Sequence, residues 1–346
     1  MRKLAFAVGV AAVLCASKAR AVSLIAETTG GRGLLGLSLL TDIPLVEDRT
    51  YLTLCYAGSR GEGLPITHQF CAGVDHAIND QWIASGTVSL SPRSAVKFPI
   101  TTSYPLITYQ STNSSLGANA VVAYNSDPLS PQQLGFDAGL AVTAYSLPHQ
   151  WVFTTAAGRT VPYPVKSAFL LARPSLGALW VVNYATELSL RGAYYFYRGD
   201  DPATAGRISQ AEIDAILSEL RAPATSFGTA LQTQLADATS EYLYNEAGGR
   251  ILAADAVSGL AAAPLLFEIR PAIAHRFTSW LRGQLGYSFE RYVPGQGYAH
   301  VLSTRWTVRP SDSFRFWSAL ALQLDFLPGS APRPSGLLTV GAEYTF

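Results

Sequence analysis

Hydrophobic and polar residues alternate along much of this chain, and the final residues show it most cleanly. Leu338, Val340, Ala342, Tyr344 and Phe346 share one face of an extended segment, with Thr339, Gly341, Glu343 and Thr345 on the other. That period of two predicts a strand with one apolar face and one small or polar face. The pattern recurs upstream. In 313–326, Phe314, Phe316, Leu320, Leu322, Leu324 and Phe326 oppose Arg315, Trp317, Ala319, Ala321, Gln323 and Asp325. In 280–291, Leu281, Leu285, Tyr287 and Phe289 oppose Arg282, Gln284, Gly286, Ser288 and Glu290. Segments 265–274 and 186–198 repeat the alternation, and 135–145 and 50–58 show it more weakly.

A soluble sandwich also alternates, with a dry core and a wet surface. Two features point elsewhere. The polar face here is rich in Gly, Ala and Ser, unlike a solvated surface dominated by Lys and Glu. The strands also run to ten to thirteen residues, longer than the usual five or six and suited to a tilted membrane crossing. Segment 199–262 breaks the rhythm. Ile213, Ile216, Leu217 and Leu220 follow helical spacing, and Leu231, Leu235, Ala238 and Tyr242 form a second stripe after Pro223. Ser209 with Glu212 makes a capping box. The expectation is a helical insert between strands, acidic because eight carboxylates face three arginines from Gly199 to Arg250, a net −5.

The amino terminus carries Arg2 and Lys3, an apolar run from Leu4 to Cys15, and Ala19-Arg20-Ala21. This reads as a cleaved signal peptide over 1–21, leaving 22–346 as the mature domain. No later stretch reaches eighteen consecutive apolar residues, so a membrane crossing requires a closed barrel. Only 14% of residues are charged, against about 25% in soluble domains. Seventeen Tyr, fifteen Phe and six Trp are enough for aromatic girdles. A net charge of +1 gives no general attraction to nucleic acid.

The carboxy-terminal pattern, with Thr339, Gly341, Tyr344 and the final Phe346, resembles the assembly signal of Gram-negative outer-membrane β-barrels. The resemblance implies an all-β fold: a transmembrane antiparallel barrel of roughly 12 to 16 strands, with 14 favoured. It also implies outer-membrane lipid around the barrel, contact with the barrel-assembly machinery during biogenesis, and a periplasmic C-terminus. Strand parity then places short links near 79–80, 183–185, 275–279 and 309–312 in the periplasm. Longer Pro- and Gly-bearing links near 59–66, 292–296 and 327–335 fall outside the cell, as does the 199–262 insert, a possible docking surface for a partner.

Several residues are candidates for chemistry. Cys55 and Cys71, the pair left after signal cleavage, fall on inward positions of neighbouring strands and are expected to form a disulfide. Asp201 to Glu212 imitates a calcium loop, but Ala203 and Ala205 stand where oxygen ligands are needed, so no metal or other cofactor is expected. His68, His76, His149, His275 and His300 raise the alternative of a barrel hydrolase. No Gly-x-Ser-x-Gly elbow accompanies them, Asp75-His76 sits beside a periplasmic turn, and His275 is placed within one. Non-enzymatic function is the expectation. The inward positions Glu187, Arg191, Glu268, Arg270, Arg282, Glu290, Arg305, Arg315, Asp325 and Glu343 supply five cations and five carboxylates. They suit the lining of a passive channel for small solutes, partly occluded by the insert. The competing expectation is a closed, ion-paired structural barrel that anchors an envelope or surface complex.

Overall fold

A computed structural model describes residues 22–31, 34–46, 49–61, 67–99, 107–126, 130–155, 160–200 and 264–346. The signal peptide expected over 1–21 lies outside the described residues, and so does the expected 199–262 insert, apart from Gly199, Asp200 and two isolated alanines.

The chain forms β1 (Ser23–Gly31), β2 (Leu34–Val46), β3 (Thr50–Gly61), β4 (Thr67–Ala77), β5 (Trp82–Pro99), β6 (Ile107–Ser126), β7 (Leu134–Thr155) and β8 (Thr160–Val181). It continues through β9 (Thr186–Tyr194), β10 (Phe196–Gly199), β11 (Leu265–Arg276), β12 (Leu281–Tyr292), β13 (Tyr298–Ser311), β14 (Phe314–Phe326) and β15 (Arg333–Thr345). Each strand pairs antiparallel with its neighbours in sequence, and β15 returns to pair with β1. β9 and β10 are two parts of one crossing, separated only at Tyr195 and both paired to β8. The result is a closed barrel of fourteen antiparallel staves. Closure removes free sheet edges, so the wall satisfies its backbone groups internally, which a bilayer demands.

The alternation becomes an apolar exterior. Leu285, Tyr287, Leu302, Leu320, Leu322, Leu338 and Val340 are exposed on the outer wall, whereas their neighbours Gly286, Ser288, Val301, Ala321 and Gly341 are buried. An exposed belt this continuous is untenable in water and suits a lipid environment. The termini of the described chain, Val22 and Phe346, lie at one end, where the Phe346 amide donates to the Val22 carbonyl at 3.0 Å. Short connections cluster there, such as 182–185, 277–280 and 312–313. At the opposite end the β12–β13 turn passes through Gly297, whose φ of 93° and close approach to the Phe326 carbonyl exclude a side chain.

Three details depart from the sequence reading. β5 to β8 contain 18 to 22 residues, well beyond the expected ten to thirteen, so 135–145 is only the first part of β7. About 9–11 residues cross a bilayer, so these two hairpins rise past the rest of the wall at the end away from the termini. Proline and clustered Ser and Thr in this stretch blur the apolar period, which hid the extension. The 186–198 strand breaks at Tyr195, whose amide donates to the Leu266 carbonyl beside the irregularity in the β11–β12 register between Leu265 and Phe267. His275, expected in a turn, lies inside β11 opposite Thr186.

Candidate functional site: the barrel interior

Paired residues on adjacent strands face the same side, so the register sorts every stave into inner and outer positions. Glu187, Arg191, Glu268, Arg270, Arg282, Glu290, Arg305, Arg315, Asp325 and Glu343 all fall on the inner face. They are not one cluster but a set of separate contacts, most of them across strands. Arg282 Nη2 donates to Glu187 Oε2 at 2.5 Å, across β11. Arg315 pairs with Glu343 directly opposite on β15. Arg270 pairs with Glu268 two residues away, and Tyr195 Oη donates to the same carboxylate at 2.8 Å. Arg191 reaches over β8 to Asp137 at 3.3 Å. Gly177 lies between them, where a Cβ would fall 2.2 Å from Asp137 Oδ1.

Arg305 differs. Among the described residues it has no carboxylate at ion-pair distance. Its guanidinium instead lies 5.4 Å from the centre of the Trp317 ring, with that of Arg315 at 5.9 Å. The indole attracts both cations through its ring quadrupole. Trp317 lies flat across Gly341, and its Nε1 donates to Glu27 Oε2 at 3.3 Å. Residues of four strands thus meet on one stretch of wall.

The register also turns inward Glu27, Asp42, Asp75, Asp137 and Arg173, which the sequence reading did not assign to the lining. Thr53 Oγ1 stands 2.7 Å from Asp42 Oδ1 and 2.9 Å from Asp75 Oδ2, so one hydroxyl proton serves two carboxylates. These positions alternate like the others. Their faces could have been read once the register of the first strands was known, and the first strands carry the weakest apolar period.

Charge is unequally distributed around the wall. Among described side chains, the inner face of β1–β7 carries Glu27, Asp42, Asp75 and Asp137 and no cation. The inner face of β8–β15 carries Arg173, Arg191, Arg270, Arg276, Arg282, Arg305, Arg315 and Arg333 against Glu187, Glu268, Glu290, Asp325 and Glu343. An acidic arc therefore faces an arginine-rich arc.

At the end away from the termini the interior changes character. Leu171, Tyr195, Leu265, Tyr292 and Ala299 form a buried inner patch, flanked by Tyr197 and Leu327. Beside it Glu290 and Asp325 are 0% exposed although both face the axis. Asp325 Oδ1 accepts from Tyr292 Oη at 2.5 Å and from Gln323 Nε2 at 2.7 Å. The chain leaves the wall at Asp200, whose carboxylate accepts from the Ala168 amide at 2.7 Å, and returns at Pro264, whose carbonyl accepts from Val293. Both points border this patch.

Cys55 and Cys71 are directly opposite on the inner face of β3 and β4, 4.9 Å apart at Cα, and are joined by a disulfide. In the last strand Thr339 faces inward, with its hydroxyl 3.2 Å from that of Thr29. Tyr344 and Phe346 point outward with ring centres 4.7 Å apart. His68, His76, His275 and His300 all lie on the outer face, whereas Asp75, the sequence neighbour of His76, faces inward. That adjacent pair therefore cannot act together. The His149 side chain and the Asp201–Glu212 loop lie outside the described residues.

No family model matches the sequence, and no curated protein does. Among solved structures, the chain is similar to the CymD monoaromatic hydrocarbon channel, at 9% identity and TM-score 0.49 over 96% of this chain and 90% of that one. It is similar to a FadL homologue of Pseudomonas aeruginosa, at 8% identity and TM-score 0.48 over 94% and 88%. It is also similar to the translocator domain of the autotransporter NalP from Neisseria meningitidis, at 12% identity and TM-score 0.46 over 100% and 98%. Likeness at these values adds nothing to what the strand pairing already establishes.

Proposed function

We propose that this chain is an outer-membrane channel through which small polar or charged solutes pass passively, and that residues 201–263 partly occlude it. The observation that carries the reading is the unequal wall: an acidic arc on β1–β7 opposite an arginine-rich arc on β8–β15, inside a closed barrel with an apolar exterior. Charges at such positions are tolerable if they pair or meet water. Among the described residues no ion pair neutralises Arg305, Asp42 or Asp75, which favours a water-filled passage along that side. Opposed charges across a narrow passage set a transverse field that sorts solutes by charge distribution.

Support for occlusion comes from the buried inner patch at the end away from the termini. Side chains that face the axis of an open pore would be wet, yet Tyr195, Leu265, Tyr292, Glu290 and Asp325 are sealed from solvent. The 201–263 segment departs and returns beside them, so it is the part of this chain best placed to cover them.

The same burial also favours a second reading, a closed barrel that serves as an envelope anchor. Single-channel recording of the refolded protein in planar bilayers separates the two. Discrete conductance steps with an ion-selective reversal potential support the channel; a folded, inserted protein that passes no current supports the anchor.

A further inference from the structure

The four described histidines share a geometry that the lumen does not use. Each lies on the outer wall, with Nδ1 at hydrogen-bond distance from a hydroxyl of the adjacent strand. Tyr56 Oη is 2.9 Å from His68 and Thr50 Oγ1 is 2.9 Å from His76. Thr186 Oγ1 is 3.0 Å from His275, and Tyr287 Oη is 2.6 Å from His300. Three of the rings also pack in aromatic clusters. His68 stacks with Tyr56, His275 meets Phe277 edge-on at 4.7 Å, and His300 sits among Phe289, Tyr298 and Phe326.

The four fall into two tiers. His68 and His300 lie toward the end away from the termini; His76 and His275 lie toward the end that carries them. His68 and His76 belong to one strand, eight residues apart. That is about 26 Å of strand, or about 20 Å of height at a tilt of about 40°. Apolar bands of outer-membrane barrels are about 25 Å tall. At about 20 Å apart, the two tiers fall near the two edges of such a belt.

A phenol or threonine hydroxyl that donates to Nδ1 fixes the neutral ring as the tautomer with its proton on Nε2. No described residue accepts from any of these Nε2 atoms. A donor left unmet in hydrocarbon is expensive, so the rings must stand where acceptors begin. We infer that the His68–His300 and His76–His275 tiers are lipid-headgroup contacts, in which each Nε2–H donates to a phosphate oxygen and the pair of tiers sets how deeply the barrel sits. This rests on the reading that the barrel spans a bilayer.

The test uses full-length protein with 15N-histidine, refolded into phosphatidylcholine vesicles. Heat-modifiable migration on gels first establishes insertion, so failure to insert is distinguished from failure of the contact. Dipolar dephasing of the ring Nε2 signals by lipid 31P is expected. It should vanish in a phosphate-free amphipol and stay absent there when inorganic phosphate is added, because the aromatic clusters offer no cation to hold a free ion. Dephasing by inorganic phosphate would reassign the rings as a free-anion site. Inserted protein without lipid dephasing would overturn the inference.

A second readout does not need the label. Joint His68→Phe and His300→Phe replacement extends the apolar band, so the acyl-chain length giving greatest stability to urea should move longer. Val74→Phe, inside the belt, should leave it unmoved. An unchanged optimum in the double variant would count against the tiers as depth markers.

Discussion

Gly341 is the residue whose absence of a side chain is most plainly explained by packing. It belongs to the carboxy-terminal pattern, yet its structural use is to receive the Trp317 indole, which lies where a Cβ would fall 2.3 Å from Cε2. Gly341→Val should displace Trp317 from its place between Arg305, Arg315 and Glu27. Overpacking of this kind costs about 1–3 kcal/mol, read as a lower urea midpoint of the refolded barrel. Gly86→Ala is the matched control, since a Cβ there meets nothing within 4 Å; it should leave the midpoint unchanged or slightly raised. Equal losses in both variants would show that strand propensity, and not the indole, is responsible. Cys55 and Cys71 yield a second expectation at this scale. Alkylation of the denatured, unreduced protein should find neither thiol free, and labelling of both would refute the bond.

The decisive element is β15, because it closes the barrel on β1. Their register runs from Ser23 opposite Thr345 to Gly30 opposite Leu338. Phe346 lies just beyond β15, its amide held by Val22 and its ring against Tyr344 on the outer wall. Deletion of Phe346 should lower the heat-modifiable fraction recovered from outer membranes, with the remainder degraded before insertion. A deletion variant inserted at wild-type level would show that closure needs only the strand. β5 to β8 make a different point. The first halves of β5 and β7 and the second halves of β6 and β8 carry the wall, and the remainder of each continues the same ladder beyond it, since antiparallel pairing propagates wherever two strands keep register.

For the whole molecule, the question is whether the passage is open. Replacing residues 205–255 with a short Gly/Ser linker should raise conductance several-fold while the barrel stays folded. Zero conductance before and after would identify the wall itself as closed; large, unchanged conductance would place the insert clear of the mouth, as a surface for another partner. Selectivity tests the two arcs separately. Arg305→Gln removes a cation that no described ion pair masks and leaves the acidic arc less opposed, so the reversal potential should shift toward cation selectivity. A shift the other way, or none in a conducting barrel, would remove Arg305 from the passage.

Period-two alternation alone determined the inner or outer face of each residue in the later strands, because side chains on a strand have only two directions. The placement of Glu187, Arg282, Arg315 and Glu343 on one face was legible for that reason, while the number of staves was only bounded, to roughly 12 to 16 with 14 favoured. Pairing across the wall was not. That Arg191 reaches Asp137 over Gly177, that Trp317 lies across Gly341 to Glu27, and that Asp75 and His76 diverge all depend on which residues stand opposite, and register is set by the closed ladder as a whole. The lengths of β5 to β8 were also hidden, since above the belt no lipid enforces an apolar face. Sequence determined which chemistry is available; only the closed barrel decided which groups meet, because closure fixes every register at once.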